Sequence, residues 1–413
     1  MYSNMKKQMI NKSILLLAIV LISAVTFAQD TVSTKFGKGL YNVVAKDGSW
    51  SMKFGLRFQT LYLGENTINE TAGIQPGTSS FLIRRSRLKF GGHAFSPKLK
   101  YKVELGLSNK DVGKVSSDNN QAPRIILDAV LKWNFYKNFT IWAGQTKLPG
   151  NRERVISSAN MQFVDRSMLN KYFNIDRDIG VQLRHHFTLG KTFLVREMVS
   201  ISQGEGRNLV QDNLGGLQYT GRLEFLPFGK FASKGDYVGA SIKREENPKL
   251  SIAATYDYND RAVKTRSNMG SYMWDQTPTN ADGLFNSNIT TIFADMMFKY
   301  KGFSVMGEYA TRNADVINHF GGDSTSSASV MAGSSMNLCL GYMFKNNWEL
   351  ATRYTTYTPH QEYNDNGEQR YTLGVSRYIV GHALKVQGDV TYKMEDNSTN
   401  SELMYRLQID IHF

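Results

Sequence analysis

Apolar and polar residues alternate along most of this chain, and the last twelve positions do so without a break. Leu403, Tyr405, Leu407, Ile409, Ile411 and Phe413 form an apolar row, while Met404, Arg406, Gln408, Asp410 and His412 form a mostly polar one. A strand points successive side chains to opposite faces, so this segment is apolar on one side and wet on the other. The same period recurs upstream. Phe54, Leu56 and Phe58 oppose Lys53, Gly55, Arg57 and Gln59; Leu250, Ile252, Ala254, Tyr256 and Tyr258 oppose Ser251, Ala253, Thr255 and Asp257. From about residue 50 onward the pattern predicts strand after strand and no helix of any length.

Turn signals also alternate. Short connections fall at 93–98, 136–138, 189–191, 301–302, 345–347 and 380–381; long ones fall at 64–79, 109–123, 148–176, 204–214, 260–288, 313–334, 359–369 and 394–401. Barrels of bacterial outer membranes have short periplasmic turns and long outer loops, so the strands can be counted. Taking 237–244 as a strand gives seventeen, breaks parity and sends the long 260–288 loop to the periplasm. Reading 228–248 as one extended periplasmic connection removes both conflicts. The strands are then about 52–63, 80–94, 98–108, 124–136, 139–147, 177–188, 191–203, 215–227, 249–259, 289–300, 302–312, 335–345, 347–358, 370–380, 382–393 and 402–413. The expectation is an all-β fold: a transmembrane antiparallel β-barrel of about 16 strands, with both of its ends periplasmic. A barrel of that size leaves an aqueous channel.

Composition sharpens this picture. Thirty-five glycines, 21 tyrosines and 23 phenylalanines against 8 prolines suit a sheet with aromatic girdles. Mean hydropathy is −0.37, and no apolar run is long enough for a transmembrane helix. Residues 1–29 read as a cleaved signal peptide: Lys6, Lys7 and Lys12 precede an apolar run at 14–25 and small residues at Thr26 and Ala28. Residues 30–51 then form an N-terminal periplasmic segment and 52–413 the barrel, in the outer membrane among lipid and lipopolysaccharide. The single Cys339 allows no internal disulfide. The formal charge is +13. A basic barrel suggests an anionic solute; the alternative is a basic surface that touches lipopolysaccharide phosphates.

Several segments resemble the phosphate-selective porin O and P family. They are 54–59 (Phe-Gly-Leu-Arg-Phe-Gln), 83–89 (Ile-Arg-Arg-Ser-Arg-Leu-Lys), 127–131 (Leu-Asp-Ala-Val-Leu), 143–149 (Ala-Gly-Gln-Thr-Lys-Leu-Pro) and 177–181 (Arg-Asp-Ile-Gly-Val). The resemblance covers nearly all of the chain after the signal. It implies a sixteen-stranded barrel, typically a homotrimer, whose third loop (148–175) folds inward, and passive uptake of phosphate, polyphosphate or similar small anions.

An anion filter needs fixed positive charge at a constriction, and arginine suits it because it stays protonated and meets phosphate with a planar fork. Arg57 sits mid-strand opposite an apolar row. Arg84 and Arg85 are adjacent, so a regular strand cannot turn both inward, whereas a β-bulge can; the alternative puts one of them at a rim or a subunit interface. Arg87 shares a face with Arg85. Lys147 stands at the entrance of the third loop, and Arg152 and Arg154 lie within it. Asp128 shares an inward row with Lys132 and either biases solute choice near the constriction or simply pairs with a neighbouring cation. The resemblance implies that Arg84 and Arg85 line the pore, that Asp128 lies near its constriction and that the third loop brings Lys147, Arg152 and Arg154 there, the alternative being a solvated outer loop with ordinary charges; with Arg57 from the strand pattern, the expected constriction is Arg57, Arg84, Arg85, Asp128, Lys147, Arg152 and Arg154.

No other chemistry is legible. His185 and His186 point to opposite faces of a strand and make a poor metal pair. No HExxH, P-loop or GxSxG motif occurs, so neither catalysis, a cofactor nor a metal is expected. Nucleic-acid binding, which charge alone would allow, conflicts with the export signal and the lipid-facing rows. The competing reading is a structural or adhesive barrel whose loops bind a surface partner.

Overall fold

Period-two segments longer than a few residues can hide their apolar row only by facing lipid or a second layer, and here they close on themselves. The computed structural model describes residues 36–113, 123–209, 213–275, 283–320, 327–363 and 365–413. The expected signal, 1–29, lies outside them. The main sheet has eighteen strands, of which Tyr41–Val44 and Gly73–Ile74 are short additions at the rims. The other sixteen are β1 (Trp50–Asn69), β2 (Thr78–Ala94), β3 (Ser96–Gly106), β4 (Ile126–Tyr136), β5 (Phe139–Lys147), β6 (Arg177–Leu189), β7 (Phe193–Ser202) and β8 (Gln218–Leu226), followed by β9 (Lys249–Ala262), β10 (Ser287–Tyr300), β11 (Phe303–Ala314), β12 (Gly333–Met343), β13 (Trp348–Pro359), β14 (Glu368–His382), β15 (Leu384–Glu395) and β16 (Asn400–His412). Each is antiparallel to the next, and β16 returns to β1 in a register running from Arg57 opposite His412 to Asn69 opposite Asn400. The sheet is a closed antiparallel barrel.

Burial is inverted relative to a soluble protein. On β9, Ile252 and Tyr256 are 48% and 53% exposed, while Ser251, Thr255 and Asp257 of the alternate row are at most 1% exposed. The apolar row faces out and the polar row faces in, as a lipid-embedded barrel around a wet lumen requires. Aromatic contacts gather on neighbouring strands near the short turn between β4 and β5, where Trp133, Phe135, Phe139 and His185 pack in sequence. The tight turns obey backbone chemistry. Tyr300 pairs with Phe303 across Lys301 and Gly302, whose φ values of 45° and 100° give the positive-φ pair a two-residue hairpin needs.

Two expectations change. The first strand runs to Asn69 rather than 63, because Glu65 to Asn69 stay paired with Met404 to Asn400 of β16. The connection 227–248, expected as an extended periplasmic connection, packs against the inward row of the barrel. Lys299, 2% exposed on the inward row of β10, donates to the carbonyls of Gly235, Val238 and Ala240 at 2.7–2.8 Å. A buried ammonium must find acceptors, and this backbone supplies three.

The connection 148–176 meets inward-facing residues from the other end. Its backbone accepts from Lys385 (to Met161 O, 2.9 Å) and Gln387 (to Gln162 O, 2.7 Å), and Val164 N–H donates to Asp389 at 3.0 Å. Ile156 and Phe163 pack with Leu194, Leu226, Met297 and Met306, and Leu169 and Phe173 pack with Phe293 and Tyr357. The two connections touch where Gly239 N–H donates to Asn160 O at 2.8 Å.

The inverted rows predict an asymmetric tolerance to charge. Leu338, at the centre of β12 and 40% exposed on the outward row, replaced by Arg should cost about 2–4 kcal/mol of folding free energy in bilayers. Reversible urea unfolding in lipid vesicles measures it.

Candidate functional site

The polar row of the barrel and the 148–176 connection together enclose a cavity of about 1300 Å³. Its wall carries 22 Lys and Arg residues against 7 Asp and Glu among the described residues. Part of that excess is met from behind the wall, where Asp295 and Glu224 pair with Arg222, Asp236 with Arg196, Glu153 with Arg353, Glu368 with Arg370 and Asp389 with Arg406. The cavity is off-centre. No residue of β9 to β12 lines it, because the two inserted connections occupy that side of the lumen.

The arginine run of β2 sits on one face of this wall. Register slips between Gln59 and Thr60 of β1: Gln59 opposes Arg85 and Thr60 opposes Ile83, which leaves Arg84 as the extra residue of a bulge. Arg84, Arg85 and Arg87 are thereby all turned inward, each 6–8% exposed. Their partners differ. Arg87 holds Asp111 with Nε and Nη2 at 2.7 and 2.6 Å and reaches Glu104 at 3.2 Å. Arg84 is ion-paired to Asp165. Arg85 donates to Gln59 and has no carboxylate partner among the described residues.

Asp128 on β4 is 1% exposed. Lys102 (2.8 Å), Arg177 (3.1 Å) and the Thr146 hydroxyl (2.8 Å) donate to it. Lys132, which shares its row, instead lies over the Trp142 ring at 3.5 Å, and Arg184 lies over the same ring at 3.8 Å. Lys147 donates to the carbonyls of Arg154 and Ile156 at 2.6 and 3.1 Å and makes no ion pair among the described residues. Arg154 pairs with Asp176, with Nε 2.6 Å from Oδ1. Arg166 is held by carbonyls alone, those of Glu153 and Ile156, both at 3.0 Å.

Of the seven residues expected at a constriction, Arg84, Arg85, Asp128, Lys147 and Arg154 line the cavity; Arg57 and Arg152 do not. Both are fully buried. Arg57 forks onto Asp410 of β16 at 2.9 and 2.6 Å and donates to the hydroxyl and carbonyl of Ser158 at 2.6 and 3.0 Å. Arg152 donates to Asp295 of β10 at 2.7 Å, to Ser251 at 2.9 Å and to the carbonyl of Asp236 at 3.0 Å. Their charge is consumed in tying the inserted segments to the wall. Sequence reading also passed over Lys110 and Asp111, on the helical turn Asn109–Val112, and Asp236 and Tyr237 of the 227–248 connection. Nothing in local patterning marks them, since Asp111, Asp236 and Tyr237 act through partners on β2, β7 and β8.

A family model described as phosphate-selective porin O and P matches residues 54–410. An uncharacterized protein of Aquifex aeolicus (strain VF5) is 22% identical over 365 residues, 81% of each chain. Among solved structures, the anion-selective porin from Comamonas acidovorans superposes with a TM-score of 0.52 and 12% identity, over 88% of this chain and 100% of that one. The outer membrane channel DcaP of Acinetobacter baumannii superposes with a TM-score of 0.52 and 13% identity, over 90% and 99%. At such identities these structures establish the common fold.

The tethering geometry has a measurable consequence. Arg152→Ala leaves buried Asp295 with one cation fewer and should cost about 3 kcal/mol. Amide exchange should accelerate at 152–166 before it does in the β-strands; unchanged protection there would contradict a tether.

Proposed function

This chain belongs to the phosphate-selective porin O and P family and is an outer-membrane porin; we propose that it passes phosphate, polyphosphate or similar small anions, passively, through the basic side of its lumen. The observation that carries this reading is the composition of the cavity wall, 22 cations against 7 carboxylates. Such a wall attracts anions and repels cations in a confined space whose protein sides screen poorly. Cations distributed over several strands offer many moderate sites rather than one deep one, so an ion that enters can leave again.

The roles divide by partner. Arg84, Arg85, Lys147 and Arg154 face the solute. Arg57 and Arg152 hold the 148–176 connection across the lumen, which narrows the path. Asp128 aligns Lys102 and Arg177 and keeps them from closing on a solute. The aligned guanidinium groups of the β2 bulge suit bidentate contact with oxyanions. A cleaved signal at 1–29, lipopolysaccharide contact at the outer rim and a homotrimer complete the reading, and no catalytic activity belongs to it.

Reversal potentials in planar bilayers under a salt gradient test the proposal. The purified wild-type protein should be anion-selective, with current reduced by added phosphate. Arg84→Gln with Arg85→Gln should lower the anion preference about fivefold per charge, as expected for roughly 1 kcal/mol of lost attraction each. Cation selectivity of the wild type, or absence of conductance, would overturn the proposal and favour a structural barrel.

A further inference from the structure

Asp165 is one of seven acidic residues on the cavity wall, with the half-buried Glu65 and the buried Glu205 among the others. Its backbone is fixed on three sides. Val164 N–H donates to Asp389 at 3.0 Å, Arg353 donates to the Asp165 carbonyl at 2.8 Å, and Arg166 is held by two carbonyls of the same connection. The side chain projects into the cavity and remains 27% exposed. Asp128, Glu104, Asp111 and Asp176 are all more enclosed, with side chains 1–10% exposed, and each is engaged by at least one cation.

The carboxylate of Asp165 meets Arg84 directly and Arg406 at 3.5 Å. Arg406 is already committed to Asp389 at 2.6 Å. Arg85 follows Arg84 on the same bulge and lines the same cavity, with a single hydrogen bond to Gln59. Burial pushes the Asp165 carboxyl up, but Arg84, Arg406 and Arg85 outweigh it and hold it below the usual range. It therefore stays ionised and can only accept hydrogen bonds.

A solute oxyanion at this spot meets guanidinium donors and one carboxylate acceptor together. An anion whose oxygens are all deprotonated gains from the arginines and is repelled by Asp165. An anion that keeps an O–H donates it to Asp165 while its other oxygens accept from the arginines, and an O–H···O⁻ bond of this kind is among the stronger ones. We infer that Asp165 is a specificity-determining residue of the channel, selecting oxyanions that retain a proton, such as hydrogenphosphate, over fully deprotonated ones of similar size and charge, such as sulfate. This inference rests on the anion-channel reading above.

Three probes separate protonation from size and charge: inorganic phosphate, sulfate and monofluorophosphate, at mildly alkaline pH where phosphate keeps one proton and the others none. The readout is the concentration of each that halves single-channel chloride current. Wild-type protein should respond to phosphate at about tenfold lower concentration than to the other two, the scale of one hydrogen bond to a charged group. Asp165→Asn offers an amide that can donate as well as accept, so block by sulfate and monofluorophosphate should tighten and the gap should close. Asp165→Glu keeps an acceptor and should retain it. Equal block by all three in the wild type, or a gap that survives Asp165→Asn, overturns the inference. So does equal tightening of all three in that variant, which would make Asp165 a mere charge diluent. The wild-type comparison needs no variant to fold. Cation selectivity in chloride salts alone would instead signal failure of the channel reading itself.

Discussion

Everything in this molecule depends on the pairing of β1 with β16. In hydrocarbon no water is present to satisfy the N–H and C=O groups of a free sheet edge, and each unmet group costs several kcal/mol. The ladder from Arg57 opposite His412 to Asn69 opposite Asn400 removes both edges at once. Closure also gives the two rows of every strand different solvents. Ile252 and Tyr256 can be left exposed because lipid covers them, and Asp257 can be buried because the lumen supplies the Gln218 and Thr220 donors that hold it.

A barrel of this width is not filled by its own side chains, and here backbone fills part of it. One connection enters from each end, and they meet at Gly239 and Asn160. Apolar residues on the inner wall, Leu226, Met297 and Phe293 among them, receive Ile156, Phe163 and Phe173. Ion pairs fasten the rest. The cost of burying Arg152 and Arg222 is offset by sharing Asp295 and Glu224 between them. This filling is one-sided, and the cavity with its basic wall lies on the other side. The cations of the inner face thus divide: Arg57 and Arg152 are consumed in holding the inserted backbone, while Arg84, Arg85, Lys147 and Arg154 line the cavity.

The sequence disclosed much of this architecture. Period-two rows and the contrast of short with long connections place all sixteen strands in order, and the adjacency of Arg84 and Arg85 calls for the irregularity that the bulge supplies. What stayed hidden is partnership. Arg57 and Arg84 look alike in sequence, each a guanidinium among polar neighbours. Yet Arg57 is claimed by Asp410, 353 positions away, while Arg84 meets Asp165 of the 148–176 connection. The 227–248 segment, whose 237–244 stretch could be read as a strand, is set aside as a connection by parity; its inward packing rests on distant partners, Lys299 to three of its carbonyls, Arg152 to the Asp236 carbonyl and Tyr237 to Glu224.

The amino-acid order by itself determined the strands, the faces they present and the surplus of positive charge, because side-chain alternation is a local property of extended backbone. The tertiary structure alone decided which of those charges are neutralised and which face the cavity. Charge pairing in the lumen is set by closure register and by where two loops come to rest, and both depend on contacts between residues hundreds of positions apart.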